Sequence, residues 1–158
     1  MQETRFKSER GFTLVEVMAV MIIIAVLAAI SIPKLTASSD TARKNADIAT
    51  GHEVKAALDR YQVENGAYPK YNEITAANGA LAATNFIPKY ISKLDKTTTQ
   101  QKAADSVKGF ATEHLPAIGT AYPTASHLIM LFLTDDGSAA EVRVYNEDLS
   151  SVLWTSAL

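Results

Sequence analysis

The apolar run from Phe12 to Pro33 constrains this chain more than any other part of its sequence. Within the run, the clearly polar residues are Thr13, Glu16 and Ser31. A helix of roughly 20 residues, rising ~1.5 Å per residue, is about long enough to cross a ~30 Å hydrocarbon layer. The run therefore predicts a helix that spans a membrane, followed by ordinary soluble sequence from Lys34 onward.

The charges before this run predict its orientation. Arg5, Lys7 and Arg10 precede the apolar residues, and basic residues that flank a membrane helix stay on the cytoplasmic side. A conventional secretory signal is cut at small residues after its apolar stretch, whereas here the charged start runs directly into Gly11 ahead of that stretch. The prediction is a single-pass membrane protein, with its N-terminus inside and its C-terminus outside.

Glu16 is the residue that a plain membrane anchor does not explain. A carboxylate near one end of an apolar helix costs up to a few kcal/mol unless it is neutralised or held near the interface. Three interpretations remain open from position alone. The side chain lies at the headgroup boundary, it is protonated, or it pairs with a positive charge at the terminus of another chain.

The segment Lys7–Glu16, KSERGFTLVE, resembles the class III signal peptide of type IV pilins and type II secretion pseudopilins, and the resemblance extends to Pro33. In that family a prepilin peptidase in the membrane cuts after the glycine and methylates the new terminus. The resemblance implies prepilin cleavage between Gly11 and Phe12 and N-methylation of Phe12. It also implies subunit assembly through Glu16, paired with a neighbour's terminus, and a helix kink at Pro33.

Residues 34–65 are predicted to continue the helix, with one face packed on a core. Asn65-Gly66, followed by Pro69, is a helix stop signal, and Gly51 is expected to weaken the helix. The apolar stripe at helical spacing is Val54, Ala57, Leu58 and Tyr61. The pairs expected on the exposed face are Asp40/Lys44, Arg43/Asp47 and Lys55/Asp59.

The C-terminal residues predict strands. His127–Leu133 is almost continuously apolar, Glu141–Tyr145 alternates with period two, and Val152–Trp154 gives a third strand. A three-stranded antiparallel meander is the natural arrangement. Its inward side is expected to include Val142, Val144, Leu153 and Trp154.

These elements predict an α+β fold, a long N-terminal helical spine packed against a small antiparallel β-sheet in the lollipop form of type IV pilins. The expected organisation is a cleaved leader at 1–11, a transmembrane and filament-core helix at 12–33 and a globular domain at 34–158. Within that domain we expect an amphipathic helix at 34–65, a variable loop with one or two short helices at 66–126, and antiparallel strands at 127–158.

No catalytic, metal or cofactor site is predicted. The chain has no cysteine, which excludes thiol chemistry and disulfides. His52, His114 and His127 are scattered and lack the spacing of metal ligands. Asp135-Asp136-Gly137 is interpreted as a hairpin turn, because the spaced oxygen ligands of a calcium loop are missing. The formal net charge of −2 and the faint lysine pattern leave a nucleic-acid partner possible but unsupported.

The resemblance therefore implies a structural subunit that is not an enzyme. The main expectation is a type IV pilus at the cell surface, serving adhesion, twitching motility or DNA uptake. One alternative is a type II secretion pseudopilin in a periplasmic pseudopilus, and another is a membrane-anchored periplasmic binding module. Expected partners are copies of itself in a helical homopolymer, the prepilin peptidase, the inner-membrane assembly platform with its ATPases, and the membrane before assembly.

Overall fold

The computed structural model describes residues 11–157, and a long helix dominates the first part of this range. Helix α1 spans Leu14–Asn65 and contains 52 residues, with Pro33 inside it. It ends at the predicted stop signal, where the Gly66 amide donates to the Gln62 carbonyl at 2.8 Å. The chain divides into two compact units, one ending at Ser39 and the other beginning at Asp40. Most of the predicted leader, residues 1–10, lies outside the described residues.

The unit that begins at Asp40 contains two sheets. The smaller sheet pairs β1 (Thr75–Ala77) with β2 (Ala80–Ala82). The larger sheet has the order β3-β4-β5-β6, and its strands are β3 (Phe110–His114), β4 (Ile129–Leu133), β5 (Ala140–Tyr145) and β6 (Val152–Thr155). Two short 3₁₀ helices lie at Tyr71–Glu73 and Lys96–Thr98. The predicted α+β class is confirmed, and β4, β5 and β6 form the predicted antiparallel meander.

Strand β3 is an addition that the sequence did not predict. It lies in the stretch interpreted as a variable loop and pairs in parallel with β4. Its five residues, FATEH, mix polar and apolar side chains, so neither alternation nor an apolar run marks them as a strand. Its position beside the fully buried β4 depends on a pairing partner 19 residues away, Ile129 opposite Phe110. Local pattern carries no signal for such a partner.

The core lies on both faces of this sheet. The predicted helical stripe is confirmed, because Val54, Ala57, Leu58 and Tyr61 are all buried in one cluster with the inward side chains of the sheet. A second cluster on the other face contains Met130 and Phe132 of β4, together with Tyr122 from the connection after β3. Strand β4 is therefore covered on both sides, which explains its nearly continuous apolar sequence.

The strand faces confirm most of the predicted inward residues. Val142 and Val144 are fully buried, and Trp154 packs against the same cluster. Leu153 was wrongly predicted to face inward. It is only partly buried and does not join this cluster. Val144 pairs with Trp154 and the next residue, Tyr145, pairs with Val152, so Leu153 is the extra residue of a bulge and has no partner opposite it.

The predicted charged pairs of α1 are only partly correct. Lys55 and Asp59 do form an ion pair. Asp40 instead lies 3.0 Å from the Lys102 Nζ, and Arg43 donates to the Gln100 carbonyl at 3.0 Å. Asp47 is completely buried, so the expected exposed pairs Asp40/Lys44 and Arg43/Asp47 are wrong. The reason is tertiary, because residues 100–102 pack against this face of the helix.

Candidate assembly site on the N-terminal helix

The predicted cleavage position lies just ahead of α1. Gly11 and Phe12 precede the first helical residue, Leu14. Both are exposed, and Phe12 leaves 88% of its surface free. A Cβ built on Gly11 would meet no atom of the described residues within 4 Å, so packing against residues 12–157 does not require glycine there.

Thr13 and Glu16 form reciprocal hydrogen bonds at the start of the helix. The backbone amide and the hydroxyl of Thr13 donate to Glu16 Oε2 at 2.8 and 2.9 Å, and the Glu16 amide lies 3.3 Å from Thr13 Oγ1. This reciprocal arrangement is a capping box, which satisfies helix N–H groups that have no partner within the helix. The Glu16 carboxylate is thus already positioned by its own chain.

Thr13 is the site residue to which the sequence reasoning assigned no role. The signal was present, because Thr-x-x-Glu immediately before an apolar run has the spacing of a capping box. A capping box orients one carboxylate oxygen toward the first turn. The other oxygen of Glu16, Oε1, takes part in neither bond from Thr13.

The surface of the helix beyond this turn is apolar and uncovered. An 18-residue window of α1 has a mean hydropathy of 2.8, and none of that window is buried. Leu14, Met21 and Ile32 each expose more than 60% of their surface. Soluble monomers rarely show so large a continuous apolar patch, and such patches mark contact with lipid or with another protein.

Pro33 lies within α1. Proline has no amide hydrogen to donate to the carbonyl four residues earlier, and its ring crowds that carbonyl. The helix assignment continues through Pro33 to Asn65. The kink expected from the family resemblance remains a prediction.

Comparison with known proteins places this helix in a family. Residues 6–32 match the family described as the prokaryotic N-terminal methylation motif. The chain is also 37% identical over 65 residues to type II secretion system core protein G of Klebsiella michiganensis, and 38% identical over 65 residues to the protein of that name from Escherichia coli K12. The N-terminal part of the chain is therefore similar to that of type II secretion pseudopilins and carries the methylation motif of prepilin-like proteins.

The similarity of this chain to its relatives is confined to part of each protein. The Klebsiella alignment covers 41% of this chain and 46% of the relative. A relative from Vibrio cholerae is 32% identical over 65 residues, covering 41% of this chain and 44% of its own length. The chain thus spans less than half of the curated relatives that it matches. No solved structure matches it significantly.

The structure brings together only some of the predicted site residues. Gly11, Phe12 and Glu16 lie within the matched segment 6–32, and Glu16 meets Thr13 there. Pro33 lies 17 residues farther along the same helix, just beyond the matched segment. Cleavage at Gly11–Phe12, methylation of Phe12 and assembly through Glu16 remain predictions.

The histidines and the acidic turn lie elsewhere in the chain and have structural contacts. His52 packs on Trp154 with ring centroids 4.1 Å apart, and His114 packs on Tyr71 at 3.7 Å. Asp136 accepts a hydrogen bond from the Ser138 amide at 2.9 Å. This bond, together with those from the side chains of Ser138 and Thr134, lowers the pKa of Asp136 to about 2. With Gly137 at a φ of +75°, this is the predicted turn between β4 and β5. Among residues 11–157, no group of three or more His, Asp or Glu residues is arranged to hold a metal.

Proposed function

We propose that this chain is a structural subunit of a type II secretion pseudopilus. It is inserted in the inner membrane by α1, cut between Gly11 and Phe12, and assembled through the same helix into a periplasmic filament. One observation carries the proposal. The first part of α1 is an exposed apolar helix that begins directly after Gly11 and Phe12 and is capped by Thr13 and Glu16. The same helix continues into a folded α+β unit.

The exposed helix needs two different partners in succession. Before assembly, lipid covers its apolar surface, since an α-helix satisfies its own backbone hydrogen bonds and can lie in hydrocarbon. After assembly, helices of neighbouring subunits cover it by close packing. Exposure of more than half of the surface at Val17, Ile24 and Ile30 leaves side chains free for either environment.

Cleavage acts as the switch between these states. The cut after Gly11 creates an ammonium group at Phe12, which cannot remain unpaired in an apolar filament core. Glu16 of a neighbouring subunit supplies the opposite charge, and its Oε1 is not used by Thr13. A desolvated ion pair is costly to break by removal of one partner, so this pairing determines the register between subunits. The packing of apolar side chains supplies the affinity.

The relatives favour a pseudopilus over the type IV pilus that was the main expectation from the sequence. The curated relatives described above are all named type II secretion system core protein G. Their names also support a structural role over catalysis. The proposed location is therefore the inner membrane followed by a periplasmic filament. The proposed partners are copies of the chain, the prepilin peptidase and the assembly platform with its ATPases.

Mass spectrometry of the protein from its native cells tests the first step. We expect a mature chain that begins at Phe12 and carries one added methyl group, located in the cell envelope. Retention of residues 1–11 on most of the protein would contradict the proposal and favour an anchored periplasmic module. Recovery of the mature chain in filaments sheared from the cell surface would favour a type IV pilus.

A matched pair of substitutions tests assembly. Glu16→Ala should abolish filaments and secretion of the exported proteins while leaving cleavage intact. Glu53→Ala, which removes an exposed carboxylate from the same helix, should leave both unchanged. Normal filaments and normal secretion with Glu16→Ala would overturn the assigned role of this carboxylate.

A further inference from the structure

The first turns of α1 within the unit that begins at Asp40 are held to a distant segment by polar contacts. Asp40 pairs with Lys102 at 3.0 Å, and Arg43 donates to the Gln100 carbonyl at 3.0 Å. Asp47 accepts from the segment one turn farther on. We call these side chains and their partners at residues 100–102 the polar clamp. They lie on one helix face, at i, i+3 and i+7.

Asp47 makes most of the contacts in the polar clamp. It is completely buried and accepts the Gln100 amide at 2.6 Å and the Gln101 amide at 3.2 Å. It also accepts Gln101 Nε2 at 3.0 Å, and the same nitrogen donates to the Tyr145 carbonyl of β5 at 2.9 Å. A buried carboxylate that accepts hydrogen bonds is strongly destabilised when its donors are lost. If residues 100–102 move away, the Asp47 carboxylate loses these donors. We therefore expect residues 40–50 of the helix to open whenever residues 100–102 open.

The polar clamp holds a part of α1 that has few buried apolar side chains. Before Gly51, Asp47 is the only described residue of α1 that is fully buried, and Ile48 is only partly buried against the core. The apolar stripe begins at Val54. Among the described residues, the buried side-chain atoms Arg43 Nε and Gln101 Oε1 lack a hydrogen-bond partner in the chain. Asp40 Oδ1 has its ion-pair contact with Lys102 but no well-aligned hydrogen bond. All three atoms belong to the polar clamp, so its polar groups are only partly satisfied.

We propose that residues 40–50 and residues 95–102 open and close as one cooperative unit, with Asp47 as its latch, while residues 51–65 and the sheet remain folded. Regions with few buried apolar contacts open at lower free energy than the core. Residues 40–50 meet this description, and their main partner is the segment that Asp47 holds. If the proposed function is correct, this opening lets the helix ahead of Gly51 change conformation during assembly without unfolding the sheet.

Hydrogen exchange on the full-length chain in detergent micelles, followed by mass spectrometry, tests the proposal. In the unmodified protein, residues 40–50 and 95–102 should share one opening free energy and one denaturant dependence, and both should exchange faster than residues 51–65. Asp47→Asn should accelerate exchange of both segments together by at least about 10-fold, because a neutral amide accepts the backbone donors poorly. The control Glu53→Gln, at an exposed position of the same helix, should leave both segments unchanged.

Two results would overturn the coupling. One is faster exchange of residues 95–102 with residues 40–50 unchanged in Asp47→Asn. The other is acceleration of all segments equally, which would mean that Asp47 contributes only to global stability. If Asp47→Asn does not fold, the exchange of the unmodified chain decides, since unequal denaturant dependences in the two segments exclude one opening unit. Failure of the pseudopilus proposal would appear in cleavage and secretion, and not in these rates.

Discussion

Trp154 of β6 packs directly on Gly51 of α1. A Cβ built on Gly51 would lie 3.1 Å from Trp154 Cε3 and only 2.5 Å from Val144 Cγ2. The glycine that weakens the helix by its own propensity thus allows the sheet to approach the helix closely. Its neighbour His52 packs on the same indole ring.

The close approach at Gly51 predicts that alanine is destabilising there. Alanine gains about 1 kcal/mol of helix propensity over glycine, whereas overpacking a filled core costs about 1–3 kcal/mol. Because Val144 has to move, we expect Gly51→Ala to lower the free energy of unfolding, measured by chemical denaturation. Ala49→Gly, at an exposed position of the same helix, reports the propensity effect alone. An increase in stability with Gly51→Ala would show that the sheet can shift.

Glu141 predicts acid-sensitive stability of the outer sheet face. Burial raises the pKa of Glu141, but hydrogen bonds from Tyr122, Arg143 and Thr155 outweigh it, so the pKa is lowered overall. A carboxylate with a lower pKa in the folded state contributes stability above its unfolded pKa of about 4.3, and this contribution is lost as the pH falls through the folded value.

Glu141→Gln should therefore destabilise the protein at pH 7 and much less at pH 3. Breaking a buried pair by removing one partner costs about 3–5 kcal/mol, and Arg143, which also lies over the Tyr122 ring at 3.1 Å, would lose its carboxylate. Urea denaturation at the two pH values measures the difference. If the difference in free energy of unfolding between the unmodified protein and Glu141→Gln is the same at both pH values, the ionised Glu141 carboxylate does not stabilise the fold.

Thr13 should contribute to assembly by orienting Glu16. Thr13→Val keeps the branched shape but removes the hydroxyl that donates to Glu16 Oε2 at 2.9 Å, which should cost the helix start about 1 kcal/mol. We expect fewer filaments with cleavage still occurring, as measured by electron microscopy and mass spectrometry. Thr13→Ser retains the hydroxyl and should restore assembly. If valine assembles as well as threonine, the capping box has no part in filament formation.

Tyr90 binds the segment after β2, residues 85–91, to the C-terminal end of α1 by hydrogen bonds. Its hydroxyl donates to Glu64 Oε2 at 2.6 Å and accepts from Asn65 Nδ2 at 3.0 Å. Tyr90→Phe should lower the free energy of unfolding by about 1–2 kcal/mol. A double-mutant cycle with Glu64→Gln measures the coupling. Additive effects of the two substitutions would mean that the Tyr90–Glu64 bond contributes nothing.

Features that depend on neighbours in sequence were predictable. The apolar stripe from Val54 to Tyr61 and the helix end at Asn65 follow from helical spacing and stop residues. The three antiparallel strands and the turn at Gly137 follow from period-two alternation and turn chemistry. The motif ending in Glu16 was recognisable for the same reason, because it consists of consecutive residues within the matched segment 6–32.

The sequence by itself thus determined an apolar helix with a recognisable motif at its start, the apolar stripe farther along that helix, and a meander with most of its inward residues. Only the tertiary structure decided the parallel pairing of β3 with β4, the burial of Asp47 and the need for Gly51. Each of these depends on residues distant in sequence, such as Gln101 against Asp47 and Trp154 against Gly51. A periodic pattern reports which face of an element is buried, and it carries no information about which side chain will meet that face.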